Sequence, residues 1–177
     1  DAQTLTGVQS RKNHIAVVPL DLPIMVDVPI TGAITVEPRV IGVGHDVVFQ
    51  FDQPITSTGT VTAVDESMVA IGAVSAVPSG NNVVVTLTGV PDGRRVRISL
   101  NNINGSGANA TVSIGFLVGD VNSDRIINLN DIAAVKARAG FVASATNLSH
   151  DLNVSGSVSA ADISAAKARL GGALVVA

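Results

Sequence analysis

The hydrophobic pattern changes at Val118, and the two parts of the chain predict different structures. From Ile15 to Val118, apolar and polar side chains alternate in short runs separated by Gly, Pro and Asn. A period of two is typical of strands with one buried face, and short strands at this spacing indicate a sandwich or barrel. The predicted strands are Ile15–Leu22, Ile30–Val36, Asp46–Phe51, Thr60–Val64, Met68–Val77, Asn82–Leu87, Arg95–Leu100 and Thr111–Val118.

The clearest alternation predicts which side chains form the core. One face of each strand is apolar and the other polar, so two sheets should pack against each other. We therefore expect an N-terminal all-β, Ig-like sandwich. The predicted inward side chains are Phe49, Phe51, Val83, Val85, Leu87, Val96, Ile98, Leu100, Val112, Ile114, Phe116 and Val118.

The C-terminal part contains one pattern written twice. DVNSDRIINLND precedes IAAVKARAG, and DLNVSGSVSAAD precedes ISAAKARLG, without insertions. Oxygen-bearing side chains fall at positions 1, 3, 5, 9 and 12 of each twelve-residue loop. This is the spacing of a calcium loop in which position 7 adds a backbone carbonyl. Two Ca²⁺ sites are predicted, with ligands Asp120, Asn122, Asp124, Ile126, Asn128 and Asp131 in the first loop and Asp151, Asn153, Ser155, Ser157, Ser159 and Asp162 in the second.

The two loops differ in the number of carboxylates and in the residue at position 6. The first offers three carboxylates and the second two, which predicts weaker binding by the second. Position 6 needs a left-handed backbone and is Gly156 in the second loop but Arg125 in the first, at a cost of about 1–2 kcal/mol. Ile127 and Val158, at position 8, are expected to tie the two loops together through a short β-bridge.

Helix capping offers an alternative explanation for part of the pattern. Asn128 and Ser159 precede Asp131 and Asp162 by three residues, as in a capping box with Asp in place of Glu. Capping accounts for positions 9 and 12 but leaves positions 1, 3 and 5 unexplained in both copies. Calcium binding is therefore the preferred interpretation, with capping operating as well.

Two such loops, each followed by one short helix, resemble a dockerin domain over Gly119–Gly140 and His150–Gly172. A weaker resemblance links VVFQFDQPI and VSIGFLVGDVN to the β modules that precede dockerins in bacterial surface proteins. For the sandwich itself, a cohesin-like architecture is the alternative to an Ig-like one. The resemblance implies docking to a cohesin, a β-sandwich receptor, through loop positions 10 and 11 and basic helix residues. Positions 10 and 11 depart here from the familiar polar pairs. The implied partner-binding residues are Leu129, Asn130, Lys136, Arg138, Ala160, Ala161, Lys167 and Arg169.

Composition excludes several classes of function. Cysteine is absent, which rules out disulfides and thiolate zinc sites. The net charge of −3 argues against a general nucleic-acid or anionic-membrane binder. His14, His45 and His150 are scattered and form no catalytic motif. We therefore predict that the protein is not an enzyme.

The predicted organisation is a lead-in (1–14), a sandwich (15–118), a dockerin-like unit (119–172) and an apolar tail (173–177). The lead-in is interpreted as solvated, with a contact patch of Arg11, Lys12 and His14 as the alternative. The tail is interpreted as a clasp on the dockerin-like unit, with strand donation to another subunit as the alternative. No apolar run approaches the ~20 residues of a membrane span. Because the sequence starts with Asp1 rather than Met, a processed secreted product or an excised fragment is expected.

These observations favour a secreted bacterial protein, extracellular or on the cell surface, that assembles through calcium. Its dockerin-like unit would dock onto a β-sandwich partner, which is either a cohesin-like domain or another copy. Docking onto the next copy would produce a homo-oligomer, filament or surface layer. The alternative is a C-terminal anchoring module of a larger surface protein or polysaccharide hydrolase. A carbohydrate-binding sandwich is disfavoured because aromatic residues make up only 2% of the chain.

Overall fold

The computed structural model describes residues 2–176; Asp1 of the predicted lead-in and Ala177 of the predicted tail lie outside this range. The described elements run from nine strands into two α-helices, with a 3-10 turn at Leu148–His150 between the helices. The strands are β1 Leu5–Lys12, β2 Leu20–Ile24, β3 Thr35–Glu37, β4 His45–Phe51, β5 Thr60–Asp65, β6 Ala73–Ser79, β7 Asn82–Thr88, β8 Arg94–Ile103 and β9 Ala108–Phe116. The helices are α1 Leu129–Arg138 and α2 Ala160–Lys167.

The strands form two sheets that pack face to face. One has the order β2-β1-β4-β7-β6 and the other β3-β9-β8-β5. Neighbouring strands are antiparallel except β3 and β9, which are parallel. Apolar side chains from both sheets meet in one core, with Phe49, Leu87, Ile98 and Ile114 among its fully buried members. The predicted all-β sandwich followed by a small helical unit is confirmed.

The N-terminal part of the strand prediction is wrong. The polar lead-in contains β1, which pairs with β2 on one side and β4 on the other. Its buried positions are Val8, Ser10 and Lys12, so polar residues occupy the inward face and hide the alternation. The predicted strand at 15–22 is largely irregular, and β2 begins only at Leu20.

Two further predicted strands are shorter than expected. Of residues 30–36, only Thr35 and Val36 are extended, in β3, because the preceding segment turns and Gly32 N–H donates to the Pro29 carbonyl oxygen at 2.8 Å. The strand predicted at 68–77 begins at Ala73. Met68 lies in a turn with a φ of 65° instead.

The helical unit packs directly on the sandwich. Leu117 leads from β9 into the first loop without a spacer and shares a buried cluster with Ile34, Val36, Ile127 and Leu174. A second buried cluster joins Leu20 of β2 to two residues that follow α1, Ala143 and Leu148. Apolar contacts therefore fix the unit to the sandwich at two separate places.

The tail packs within the same chain. Leu174 N–H donates to the Arg125 carbonyl oxygen at 3.1 Å, and Val175 N–H donates to the Gly93 carbonyl oxygen at 2.8 Å. The Arg95 side chain in turn donates from Nε to the Val175 carbonyl oxygen at 2.9 Å. These contacts agree with a clasp, which spans both the first loop and the sandwich. No helix in the range 2–176 has the length and apolar character that crossing a membrane requires.

Candidate calcium loops and docking face

The first loop (residues 120–131) brings its three carboxylates together. Ligand atoms of Asp120, Asp124 and Asp131 lie within 4.8 Å of one another. Asp120 and Asp131 are fully buried, whereas Asp124 is exposed. The Asp120 carboxylate accepts from the Arg125 N–H at 2.8 Å and from the Asp124 N–H at 3.1 Å, so the backbone wraps around it. Converging oxygens of this kind suit a hard cation such as Ca²⁺.

Electrostatics inside the first loop favour a bound cation. Burial raises the pKa of Asp120 to about 6, against the lowering effect of the Arg125 N–H, and the charges of Asp131 and Asp124 add to the rise. The pKa of Asp124 lies below its ordinary value. Slight burial raises that pKa, but hydrogen bonds from the Ile126 N–H and the Asn122 and Asn128 amides outweigh it. A divalent ion would remove the repulsion that Asp120 experiences.

The second loop (residues 151–162) has the same backbone plan with fewer charges. Asp151 and Asp162 are fully buried. Asp151 accepts from the Gly156 N–H at 2.7 Å and from the Ser155 N–H at 3.0 Å. Ser155 N–H also donates to the Asn153 side-chain oxygen at 3.0 Å. The residues predicted at positions 1, 3 and 5 therefore converge here as they do in the first loop.

Positions 9 and 12 also cap the helices, as predicted. Asn128 and Asp131 form a complete capping box at the start of α1, and Ser159 and Asp162 form one at the start of α2. Asp131 also accepts from the Val121 N–H at 3.0 Å. Each Asp at position 12 therefore closes its loop and starts its helix at the same time.

The two loops are not bridged to each other, and that prediction is wrong. Ile127 exchanges backbone hydrogen bonds with Gly171 and Gly172, which follow α2. Val158 makes the equivalent bonds, to Gly140 and Phe141, which follow α1. Each position-8 residue thus pairs with the segment after the other repeat's helix. The Val158 side chain packs in the core between the repeats, whereas the Ile127 side chain packs in the cluster shared with the sandwich.

Left-handed backbone occurs at two positions of each loop. Position 6 has a φ of 72° at Arg125 and 94° at Gly156, as the loop pattern requires. Position 4 is also left-handed, with a φ of 59° at Ser123 and 53° at Val154. The first loop therefore has non-glycine residues in the left-handed region at positions 4 and 6. The second has one, Val154 at position 4, and a β-branched residue is a rare outlier there.

A buried polar network reaches Asp151 from the sandwich. His14 Nδ1 lies 2.6 Å from Asp151 Oδ2, and His14 Nε2 lies 3.1 Å from Arg39 Nη1. Arg39 forms an ion pair with Glu37 at 2.7 Å, and Ser10 donates to the same carboxylate. Burial raises the pKa of Asp151, but hydrogen bonds from His14, Gly156 and Ser155 bring it below its ordinary value. The sequence interpretation placed His14 in a solvated lead-in, and this is wrong.

The predicted partner-binding residues lie on the outer faces of the two helices. Leu129 is 70% exposed, and seven of the eight predicted residues are exposed. The exception is Arg169, which is half-buried and lies 3.6 Å from Asp92 of the sandwich. The sandwich thus occupies one of the two pseudo-equivalent basic helix ends and leaves Arg138 at the other end exposed.

An apolar patch beside α1 was missed by the sequence reasoning. Phe141 and Val142 are 59% and 66% exposed and border an open groove together with Arg138 and Asn147. In the other repeat the equivalent positions are Gly172 and Ala173, so this patch has no symmetric counterpart. Its only sequence signal is the phenylalanine after the first helix.

The remaining histidines form no common site. His45 is buried against Phe116 with ring centroids 4.2 Å apart, and burial lowers its pKa to about 3. His150 is half-buried near Ser149, with its Nδ1 3.3 Å from the hydroxyl oxygen. Burial also lowers the pKa of His150.

Fold and loops together define a class of protein: a β-sandwich followed by a duplicated loop–helix unit with clustered carboxylates. Residues 118–171 match the family model of the dockerin type I domain, so the predicted dockerin-like unit is confirmed over about a third of the chain. A dockerin unit is a docking module, which supports a protein–protein docking role for this segment. A search of curated proteins finds no match to the chain.

Proposed function

We propose that this chain is a secreted, non-catalytic assembly module that binds two calcium ions and docks onto a β-sandwich partner through α1 and α2. The observation that carries the proposal is the combination of a convergent carboxylate cluster with an exposed helix pair in a dockerin-matching segment. Calcium fills the two loops and holds the helix starts, and the helices present the contact surface.

The way in which the unit packs on the sandwich supports docking by the helices. Contacts with the sandwich come from both loops, the segments that follow α1 and α2, and the tail. The outward residues Leu129, Lys136 and Lys167 remain exposed. A second molecule can therefore approach the helices without displacing the sandwich.

The chemistry of this face indicates what it would bind. Lys136, Arg138 and Lys167 provide positive charge, while Leu129 and the small residues Ala160 and Ala161 provide a shallow apolar surface. The complementary partner surface is apolar at its centre and acidic at its rim. Charge reversal at Lys136 should therefore slow association and weaken its salt dependence.

One version of the proposal makes the partner another copy of this chain. A helix face that docks onto the sandwich of the next copy forms a head-to-tail contact, which propagates into filaments unless it closes into a ring. Light scattering after size exclusion and electron microscopy, with calcium and with EDTA, would test this version. Calcium-dependent oligomers that Lys136→Glu weakens would support it. A monomer in both conditions would overturn self-assembly and favour a separate sandwich partner.

The calcium stoichiometry has its own test. Native mass spectrometry and calorimetry should give two ions for each chain, with Asp120→Ala removing one. Retention of fewer than two ions by the unchanged chain would contradict the two-site proposal.

A further inference from the structure

A continuous buried polar line connects the sandwich to the second loop. It runs from Ser10 through Glu37, Arg39 and His14 to Asp151, and each of these residues is at most 3% exposed. Asp151 occupies position 1 of the loop, where a calcium ligand is proposed. Burying this many polar groups is costly unless each has partners. Each of these five residues therefore depends on its neighbours in the line for its hydrogen bonds.

The hydrogen-bond partners determine the tautomer of His14. Arg39 always carries its protons and can only donate, so His14 Nε2 must accept at 3.1 Å. The ring proton of a neutral His14 then lies on Nδ1 and is donated to Asp151 Oδ2 at 2.6 Å. Arg39 is fixed in turn by Glu37 and by the carbonyl oxygens of Leu20 and Ser10. His14 is thus a rigidly oriented donor to one oxygen of Asp151.

Backbone contacts hold the same loop from both sides. Ile15 N–H donates to the Val154 carbonyl oxygen at 3.1 Å, and Val40 N–H donates to the Leu152 carbonyl oxygen at 2.8 Å. In the first loop, Asp120 accepts from the loop's own N–H groups. Among the hydrogen bonds of residues 2–176, no sandwich side chain donates to Asp120. The sandwich therefore supports the two loops unequally.

We propose that His14 is a positioning residue of the second calcium loop and that the sandwich thereby completes a site which the dockerin-matching segment does not complete alone. This inference rests on the proposed calcium function. His14 holds Asp151 Oδ2 together with the Gly156 N–H, while Oδ1 accepts from Ser155. The first ligand of the loop is therefore oriented before an ion arrives.

The second loop gains more from such support than the first. It has two carboxylates where the first has three, so charge contributes less to its affinity. Partners behind a metal ligand fix its orientation, and their loss commonly costs about 10–100-fold in affinity. A fixed donor behind Asp151 can offset the missing carboxylate.

Two substitutions of His14 separate its two hydrogen bonds. The amide nitrogen of Asn lies near the Nδ1 position, so His14→Asn keeps a donor for Asp151 and loses the acceptor for Arg39. The longer Gln places its amide near the Nε2 position, so His14→Gln keeps an acceptor for Arg39 and loses the donor. The two variants therefore form a matched pair.

The test is a calcium titration of the full chain followed by NMR. The Arg125 and Gly156 amides bind the position-1 carboxylates of their own loops, so each signal reports one loop. We expect His14→Gln to weaken binding at the Gly156 loop about tenfold or more while leaving the Arg125 loop unchanged. His14→Asn should stay within about threefold of the unchanged chain at both loops, even if its melting temperature falls.

The outcomes separate the possible failures. If neither amide responds to calcium in the unchanged chain, the proposed calcium function is wrong. If both respond and His14→Gln leaves the Gly156 loop unchanged, His14 is a structural latch and this inference is overturned. Equal weakening by Asn and Gln, with loss of signal dispersion, would also overturn it, since packing and not the donor would then be responsible.

Discussion

Gly156 lies so close to Ile15 that a Cβ atom on the glycine would fall 2.0 Å from the Ile15 carbonyl oxygen. Position 6 of the second loop thus touches the backbone of the connection between β1 and β2. The first loop has Arg125 at the same position with a φ of 72°, so left-handed backbone alone does not demand glycine here. Glycine is required at position 156 because any side chain would collide with the Ile15 backbone.

We therefore expect Gly156→Ala to destabilise the chain by more than the left-handed backbone costs. Gly140 is the matched control, because its φ of 93° is close to the 94° of Gly156 and a Cβ there meets nothing within 4 Å. Gly140→Ala should cost about 1–2 kcal/mol, and Gly156→Ala should exceed it by at least about 1 kcal/mol. Chemical denaturation of both variants in calcium measures the difference. Equal losses would mean that the loop moves away from Ile15 at little cost.

Local spacing was enough to predict the loops, the helix starts and most of the sheets. The repeat places oxygens at positions 1, 3 and 5, and the structure brings those residues together in both loops. Strands with clean alternation, such as β7 and β8, were predicted within a few residues. In these segments the residues that determine the local structure are close together in the sequence.

Contacts between distant segments could not be predicted in this way. In β1 the inward residues Ser10 and Lys12 are polar, because Ser10 donates to Glu37 and Lys12 donates to the carbonyl oxygens of Ile41 and Gly44. The pairing of His14 with Asp151 spans 137 residues. Polar residues that pair only in the folded chain look like a solvated segment when the sequence is read locally.

Removing calcium should loosen the C-terminal unit before the sandwich. The main core is built from residues of the sandwich, whereas the loops rely on clustered carboxylates. An ion at 100 times its Kd stabilises the folded state by about 2.7 kcal/mol. We expect EDTA to speed hydrogen exchange at the amides of 119–172 while β4 and β7 stay protected. Exchange that is unchanged in the loops would contradict the calcium proposal.

When calcium is absent, the stability of the folded chain should depend on pH through Asp120 of the first loop. The pKa of Asp120 is raised to about 6 in the folded chain, so between about pH 4 and 6 the folded state binds more protons than the unfolded state. This carboxyl therefore lowers stability as the pH rises through that window, by an amount on the order of 2 kcal/mol. In EDTA, the melting temperature of Asp120→Asn relative to the unchanged chain should rise between pH 4.5 and 7. A constant difference across that range would show that Asp120 keeps an ordinary pKa.

The buried His45 should produce the opposite dependence on pH. Burial and the neighbouring Lys12 charge lower its pKa to about 3, Glu37 partly opposes this, and Arg39 reinforces it. An unfolded histidine takes up a proton below about pH 6.5 while the folded one stays neutral, so stability falls as the pH decreases from 6.5 towards 3. Each unit of pH should then cost up to about 1.4 kcal/mol, or about 3–6 °C in melting temperature.

His45→Leu should remove this acid sensitivity. His45 Nδ1 has no hydrogen-bond partner among the described residues, so an apolar side chain forfeits no hydrogen bond at that atom. In EDTA we expect the variant to melt near the unchanged chain at pH 7 and progressively above it from pH 6 to pH 4. His150→Leu is the control, because His150 is half-buried and its lowered pKa should have a smaller effect. If the melting temperatures of the unchanged chain and His45→Leu fall by the same amount from pH 6 to pH 4, His45 is protonated in the folded protein.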